Sequence, residues 1–231
     1  MAWILEQKFM TEKQVRQVFW KDIGQDNRET YRRLNKLKNE GFLTVNRKKI
    51  YQNAMYLVTV KGAQQLKELN KNHGLGALSN TDYANYRHDL TVTDIRIMFH
   101  ELGFTQWLSE RVLSRRNDLR RVPDGMILSG GNYLAIEYES SQKSKRRYRE
   151  IFYNYELDRE VSKVLYIVDQ EELLKKVSRE GSMCQKIYFV SMDEIKNDLM
   201  NARLKNDSGE CSLKELLNLE IAPQAVLNQI N

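Results

Sequence analysis

Three acidic residues in the middle of the chain are spaced so that their side chains can meet. Asp124 follows Pro123 at the head of a short apolar stretch, and Glu137 and Glu139 lie on the stretch after a Gly-Gly-Asn turn. Because side chains alternate along a strand, the two glutamates share one face, and the hairpin brings Asp124 to the same edge. Carboxylate oxygens suit Mg²⁺ or Mn²⁺ and phosphodiester chemistry. The sequence therefore predicts a metal site formed by these three acids.

The same acids also fit a structural interpretation. Apolar residues alternate with the two glutamates, as in any strand with one buried face. The glutamates can pair with nearby arginines, and Asp124 can simply cap its turn. Under the metal interpretation, Glu101 or Glu110 could complete the coordination. Both interpretations remain open at the level of the sequence.

A basic segment directly follows the acidic strand. Its cations are Lys143, Lys145, Arg146, Arg147 and Arg149. They can hold a phosphate backbone beside the acids, or form a solvated helix face. Tyr148, Phe152 and Tyr155 recur at helical spacing, which favours the core over base stacking. His88 and Asp89 are adjacent on a helix and do not face each other, so we expect a structural role for His88.

The positive charge of the chain is concentrated near its start. Residues 1–75 contain 15 Lys and Arg against 7 Asp and Glu, an excess of 8, whereas residues 76–160 contain 13 of each. A local excess of this size favours a polyanion as the partner, and we expect double-stranded DNA. The alternative is a lysine-rich surface that serves only solubility.

Two helices are predicted at the start of this basic region. Thr11 caps the first helix, and the second runs from about residue 27 to residue 40 and ends at Gly41. The second helix is expected to bury Tyr31, Leu34 and Leu37. Its other face carries Arg28, Arg32, Arg33 and Lys36.

A basic hairpin follows, with strands over residues 42–45 and 56–59. Its tip is Arg47, Lys48 and Lys49. Helix, turn, helix and hairpin form the layout of a winged helix-turn-helix over residues 1–75. The second helix would enter the major groove, and the lysines at the hairpin tip would contact backbone phosphates. The alternative is a winged helix that serves protein contacts or dimerisation.

The remaining chain predicts a linker over residues 76–86 and a second domain over residues 87–200. That domain alternates helices and strands, with a continuous apolar strand at 164–168, which indicates an α/β layer with a mixed sheet. Residues 201–231 are expected to form a polar tail with a short helix at 213–219. The fold class is therefore α/β, or α+β overall.

Composition excludes several other classes of protein. No apolar run is long enough to span a bilayer, and no secretory signal is evident, so we expect a cytoplasmic protein without membrane association. Cys184 and Cys211 are expected to be reduced thiols because no ligand pattern surrounds them.

The second domain resembles the PD-(D/E)xK nuclease-like superfamily in the Pro-Asp at 123–124 and the Glu-Tyr-Glu at 137–139. The resemblance implies a core of helix, three-stranded meander, helix and strand, with those acids as catalytic metal ligands. The superfamily has a lysine where this sequence has Glu139, and that lysine helps to position the attacking water. Lys143 or Lys145 could supply it from the following helix.

Over residues 5–195 the chain also resembles the replication-relaxation family of plasmid and mobile-element proteins. The resemblance rests on the winged helix, His88-Asp89, Pro123-Asp124-Gly125, Ile136-Glu137-Tyr138-Glu139, Lys143 and Arg147-Tyr148. It implies a bacterial protein of plasmid replication, DNA relaxation or transfer. Other replication or transfer proteins are the implied partners.

Three functional hypotheses follow from these features. The first is a DNA-binding protein of plasmid replication, relaxation or transfer whose nuclease-like domain has lost cleavage. The second is a Mg²⁺- or Mn²⁺-dependent endonuclease that uses Asp124, Glu137, Glu139 and Lys143. The third is a transcriptional regulator whose second domain senses a signal or dimerises. A homodimer is expected under each of them.

Overall fold

The computed structural model describes residues 1–19, 28–46, 53–79, 84–129, 131–181 and 184–217. The chain divides into two compact units, Met1–Ile127 and Leu128–Asn231. The sequence predicts a linker over residues 76–86 instead. The predicted domain boundaries stay a prediction.

Helices and a small antiparallel sheet form the start of the first unit. They are α1 (Ala2–Glu6), β1 (Met10–Thr11), α2 (Glu12–Phe19), α3 (Arg28–Asn39), β2 (Leu43–Asn46), β3 (Met55–Val58) and α4 (Val60–Glu68). The strand order is β1-β3-β2, with Leu43 opposite Val58 and Met10 opposite Tyr56. The predicted helices and hairpin strands are present, and the hairpin tip at residues 47–49 lies outside the described residues.

Local interactions fix the ends of these helices. The Gln14 N–H donates to Thr11 Oγ1 at 3.3 Å, and the Thr11 N–H donates to Gln14 Oε1 at 3.0 Å, so the two residues cap α2 reciprocally. Gly41 has φ +77°, a left-handed conformation that glycine adopts without steric cost, and α3 ends just before it. The Thr59 hydroxyl accepts from the Gly62 N–H and caps α4.

The buried side of α3 is narrower than the sequence predicts. Thr30 and Leu34 are almost fully buried, at 1% and 2% exposure, but Tyr31 is 54% exposed. The buried stripe lies on the Thr30 side of Leu34, which leaves Tyr31 at its edge. The expectation that Tyr31 belongs to the core is therefore wrong.

The first unit continues with a long helix and a strand pair. These elements are α5 (Tyr86–Glu101), β4 (Trp107–Ser109), α6 (Glu110–Leu113) and β5 (Gly125–Ser129), and β5 crosses the boundary between the units. β4 and β5 are antiparallel, with Leu108 opposite Met126. β4 is short because the chain turns into α6 at Glu110. Gly125 is required beside Trp107, because a Cβ at this position would overlap the indole ring.

The second unit is a mixed sheet with helical crossovers. Its elements are β6 (Asn132–Glu139), α7 (Lys145–Leu157), β7 (Val161–Val168), α8 (Glu171–Glu180), β8 (Ile187–Ser191), α9 (Met192–Asn197), β9 (Arg203–Asn206), β10 (Gly209–Ser212) and α10 (Leu213–Leu216). The order is β10-β9-β8-β7-β6; β6, β7 and β8 are parallel, and β9 and β10 are antiparallel additions. Residues 164–168 of β7 are at most 2% exposed. The predicted α/β class is confirmed.

The chain after residue 200 is more structured than a polar tail. β9 and β10 form a hairpin, and β9 pairs with β8 through Lys205 and Phe189. Leu204 is fully buried, which anchors an otherwise polar strand. The predicted short helix is present as α10, with Ser212 and Glu215 forming a capping box. No helix within the described ranges is both long and apolar enough to cross a membrane.

Candidate nucleic-acid interface

The outward face of α3 carries the four cations that the sequence assigns to DNA. Arg28, Arg32, Arg33 and Lys36 are all exposed, while Thr30 and Leu34 face the core. Arg28, Arg32 and Lys36 recur every four residues, so they follow one side of the helix. The exposed fractions of Arg32 and Lys36 are 77% and 64%, which leaves both side chains accessible to a ligand.

Two of these cations already have acidic neighbours on their own helix or at its end. Arg32 Nη1 lies 3.2 Å from Glu29 Oε2, and Lys36 Nζ lies 3.9 Å from Glu40 Oε1. Exposed pairs of this kind contribute about 0–1 kcal/mol, because water and salt screen them. A phosphate can therefore replace either carboxylate at little cost. Arg47, Lys48 and Lys49 belong to the undescribed hairpin tip.

Asp124 is held by a histidine from α5. His88 Nε2 lies 3.3 Å from Asp124 Oδ2, and His88 Nδ1 lies 3.6 Å from Asp89 Oδ1. Burial lowers the pKa of His88. The hydrogen bonds that His88 makes to Asp124 and Asp89, together with the negative charges of these two residues, have the larger effect and raise the pKa to about 10. The Asp124 carbonyl also accepts from the Glu110 N–H at 3.2 Å. The carboxylate is thus fixed beside an imidazolium.

Lys8 extends this cluster of charges within the first unit. Its ammonium lies 2.8 Å from Asp89 Oδ1 and 2.8 Å from Glu110 Oε2, and its backbone has φ +71°. Burial lowers the pKa of Lys8, and the two carboxylates more than compensate and raise it. The cluster borders a cavity of about 10 Å³, which also touches Ser109. The Ser109 hydroxyl is buried and has no hydrogen-bond partner in the described structure.

The other two predicted metal ligands lie at the end of β6 in the second unit. Glu137 is 5% exposed and accepts from the Tyr155 hydroxyl. Glu139 is 2% exposed, and its carboxylate contacts the Lys143 ammonium and accepts from the Tyr166 hydroxyl at 3.3 Å. Protein donors therefore already engage both carboxylates.

A metal ion would have to compete with these donors. Carboxylate oxygens suit Mg²⁺ or Mn²⁺ by type, but a cation at Glu139 would need to displace the Lys143 ammonium. In the part of the chain that is described, no group of three or more His, Cys, Asp or Glu side chains is arranged to hold a metal ion. The metal site of Asp124, Glu137 and Glu139 stays a prediction.

Comparison with protein families identifies the chain. A family model described as replication-relaxation matches residues 1–167, which is more than half of the sequence. The chain belongs to the replication-relaxation family. Searches of curated proteins and of solved structures give no match. Membership confirms the resemblance expected from the motifs and indicates a role in plasmid or mobile-element replication or relaxation.

The basic start of α7 is a further charged surface of this replication-relaxation family member. Lys145 Nζ and Arg149 Nε lie 3.5 Å and 3.4 Å from Glu180, and Arg147 Nη1 lies 3.0 Å from Glu150. The aromatic residues behind these cations divide into two groups. Tyr148, Phe152 and Tyr155 are at most 3% exposed, which confirms their predicted place in the core. Tyr153 is instead 65% exposed.

Sequence reasoning missed two features of this family member. The partner of His88 is Asp124, which is distant in sequence and which no local pattern identifies. A buried ion pair joins Arg96 Nη2 to Glu6 Oε2 at 2.8 Å. Arg96 falls within an apolar helix pattern, so its burial could have been suspected, but its partner could not.

Proposed function

We propose that this protein binds double-stranded DNA through the outward face of α3 and acts in the replication or relaxation of plasmid or mobile-element DNA. The observation that supports this most directly is the row of exposed cations at Arg28, Arg32 and Lys36. The opposite side of α3 is buried, so the helix is anchored to the core and its row of cations faces solvent. Membership of the replication-relaxation family supports the role in plasmid or mobile-element DNA.

The energetics favour a phosphate contact over the existing ion pairs. Arginine binds a phosphate in two-pronged geometry, and such charge-assisted hydrogen bonds are stronger than neutral ones. Each phosphate contact also releases counterions from DNA, a gain that the pairs with Glu29 and Glu40 do not provide. The excess of 8 positive charges over residues 1–75 raises the local concentration of DNA near this face.

In this proposal the acidic strand of the second unit is structural. Glu137 and Glu139 are buried and hydrogen-bonded to Tyr155, Tyr166 and Lys143, which is the usual state of carboxylates that stabilise a fold. Glu139 also occupies the position of the missing motif lysine. The nuclease-like domain would then recruit or regulate other replication machinery without cutting DNA.

The test is a pair of double variants with the same change in charge. Arg32→Ala with Lys36→Ala removes two cations from α3, and Lys67→Ala with Lys71→Ala removes two exposed cations elsewhere in the first unit. We expect the α3 variant to bind a labelled duplex at least tenfold more weakly. The slope of log affinity against log salt should fall by about two, because each phosphate contact contributes about 0.9. The control should stay close to wild type.

Equal affinity and an equal salt slope in the α3 variant would remove α3 as the DNA-binding element. A loss of the same size in the control would show that only the net charge matters. Circular dichroism of both variants would verify that each is folded before the affinities are compared.

One observation favours a second candidate, a metal-dependent endonuclease. Lys143 places its ammonium on the Glu139 carboxylate, so a lysine from the segment after β6 reaches the position where the motif lysine is absent. In that case Glu137 and Glu139 would hold Mg²⁺ or Mn²⁺, which would polarise the phosphate, and Lys143 would orient the water. Supercoiled plasmid incubated with either metal would be nicked, and chelator or Glu137→Ala would abolish nicking. Intact plasmid under these conditions would favour the binding protein.

A further inference from the structure

An open cleft lies beside α7 in the second unit. Its volume is about 720 Å³, within the range of ligand-binding sites. Phe152 and Tyr153 line it from α7, and Gly181 and Cys184 line it beyond the end of α8. Gly181 is required there, because a Cβ would overlap the ring of Phe189. The cleft thus combines aromatic and small groups with a charged border, in which Arg149 and Arg179 stand beside Glu150, Glu156 and Glu180.

The aromatic ring at the rim of this cleft is available for stacking. Tyr153 is 65% exposed, although it belongs to a helix whose other large aromatic side chains are buried. Phe152 packs edge-on against Tyr166 and Phe189, with centroid distances of 5.5 Å and 5.7 Å, and forms a rigid floor. Core packing therefore does not explain the position of Tyr153.

Cationic side chains precede Tyr153 on the same face of α7. Arg146, Arg149 and Tyr153 are spaced by three and four residues, so they share one face of the helix over about 11 Å. Lys145 and Arg149 share the single carboxylate of Glu180, which leaves net positive charge at that point. Arg146 is exposed and has no ion pair among the described residues. This face therefore offers cations that can bind phosphates and an aromatic ring on which a base can stack.

We propose that this face of α7 and the adjoining cleft bind single-stranded DNA. Arg146 and Arg149 contact the phosphates, and an unpaired base enters the cleft and stacks on Tyr153. A duplex does not fit this arrangement, because its bases are already stacked on one another and cannot offer a free face. The site is independent of α3 and extends the proposed function from duplex DNA to DNA that has been opened.

The test is fluorescence anisotropy of the full chain with a labelled oligodeoxythymidine of about 12 nucleotides. We expect Tyr153→Ala to bind it about tenfold more weakly and Tyr153→Phe to bind it like wild type, because phenylalanine keeps the stacking face. Tyr31→Ala, which removes the exposed tyrosine of α3, should leave this affinity unchanged. Affinity of Tyr153→Ala for a duplex should also be unchanged, which separates this site from the α3 interface.

Three results would overturn the proposal. The first is a single-strand affinity of Tyr153→Ala equal to that of wild type. The second is a loss of single-strand affinity in the Arg32→Ala, Lys36→Ala variant but not in Tyr153→Ala, which would place the single-strand site on α3. An oligouridine of the same length could bind more tightly than the DNA strand, which would assign the site to RNA.

Discussion

His88 Nε2 lies 3.3 Å from Asp124 Oδ2 and thereby connects α5 to the residue that precedes β5. The imidazole is 28% exposed and Asp124 is 14% exposed, so the pair is only partly screened by water. Asp89 lies on the other side of the ring. His88 is therefore held as an imidazolium whose charge stabilises the folded first unit.

This arrangement predicts a stability that depends on pH. The pKa of His88 is about 10 in the folded protein and about 6.5 in the unfolded chain. Its contribution is therefore complete below pH 6.5 and is lost as the pH rises towards 10. We expect His88→Gln to lower the free energy of unfolding by about 1–3 kcal/mol at pH 6, with a difference that shrinks towards pH 10. Urea denaturation across this range measures it.

His100→Gln is the matched control, since His100 has no carboxylate partner in the described structure. It should keep the pH profile of the wild type. A difference between His88→Gln and wild type that stays constant from pH 6 to pH 10 would show that the His88 pair carries no charge.

Local signals in the sequence predicted much of the fold. Thr11 and Gln14 stand three residues apart and cap α2, and Gly41 ends α3 through its left-handed backbone. The uninterrupted apolar run at 164–168 predicted a buried central strand, which β7 is. Each of these features depends on neighbours within a few positions, so the sequence contains the whole signal.

Features that depend on distant contacts were not predictable. The side of α3 that is buried is set by packing, so helical spacing alone placed Tyr31 in the core. The β9–β10 hairpin is mostly polar, and only pairing with β8 reveals it as part of the sheet. The structural role expected for His88 stays a prediction, and its partner Asp124 could be identified only from the fold.

Gly125 should tolerate no side chain. A Cβ there would overlap the ring of Trp107, which is buried at 5% exposure and cannot move aside freely. We expect Gly125→Ala to destabilise the protein by about 1–3 kcal/mol. Gly76→Ala is the control, because nothing lies within 4 Å of its added methyl group. Thermal unfolding of both variants tests this, and equal melting temperatures would contradict the steric argument.

Removing one member of the buried ion pair between Arg96 and Glu6 should lower the free energy of unfolding. Arg96 is 4% exposed, its guanidinium lies 3.9 Å from the centre of the Trp3 ring, and burial lowers its pKa. Arg96→Met leaves the buried Glu6 carboxylate with only the half-exposed His73 beside it, at 3.5 Å, so we expect a loss of about 3–5 kcal/mol. Glu6→Gln in the same chain should recover part of that loss.

The exposed pair of Arg32 and Glu29 provides the comparison. Glu29→Gln should change the free energy of unfolding by less than about 1 kcal/mol, because solvent screens that pair. Chemical denaturation of wild type, Arg96→Met, Glu6→Gln and the double variant measures the coupling directly. A coupling near zero for Arg96 and Glu6 would mean that packing against Trp3, rather than the ion pair, holds the arginine.

Lys143 and Glu139 offer a test of whether the end of β6 is structural. Glu139 is 2% exposed, and its carboxylate also accepts from the Tyr166 hydroxyl, so loss of the ammonium leaves a buried charge only partly compensated. We expect Lys143→Met to lower the free energy of unfolding by about 1–3 kcal/mol, and Glu139→Gln in the same chain to restore most of it. Urea denaturation of the double-mutant cycle measures the coupling, with Lys176→Met, an exposed lysine on α8, as the control. If Lys143→Met is as stable as wild type, the ammonium is not needed by the fold, and its contact with Glu139 would instead favour the endonuclease.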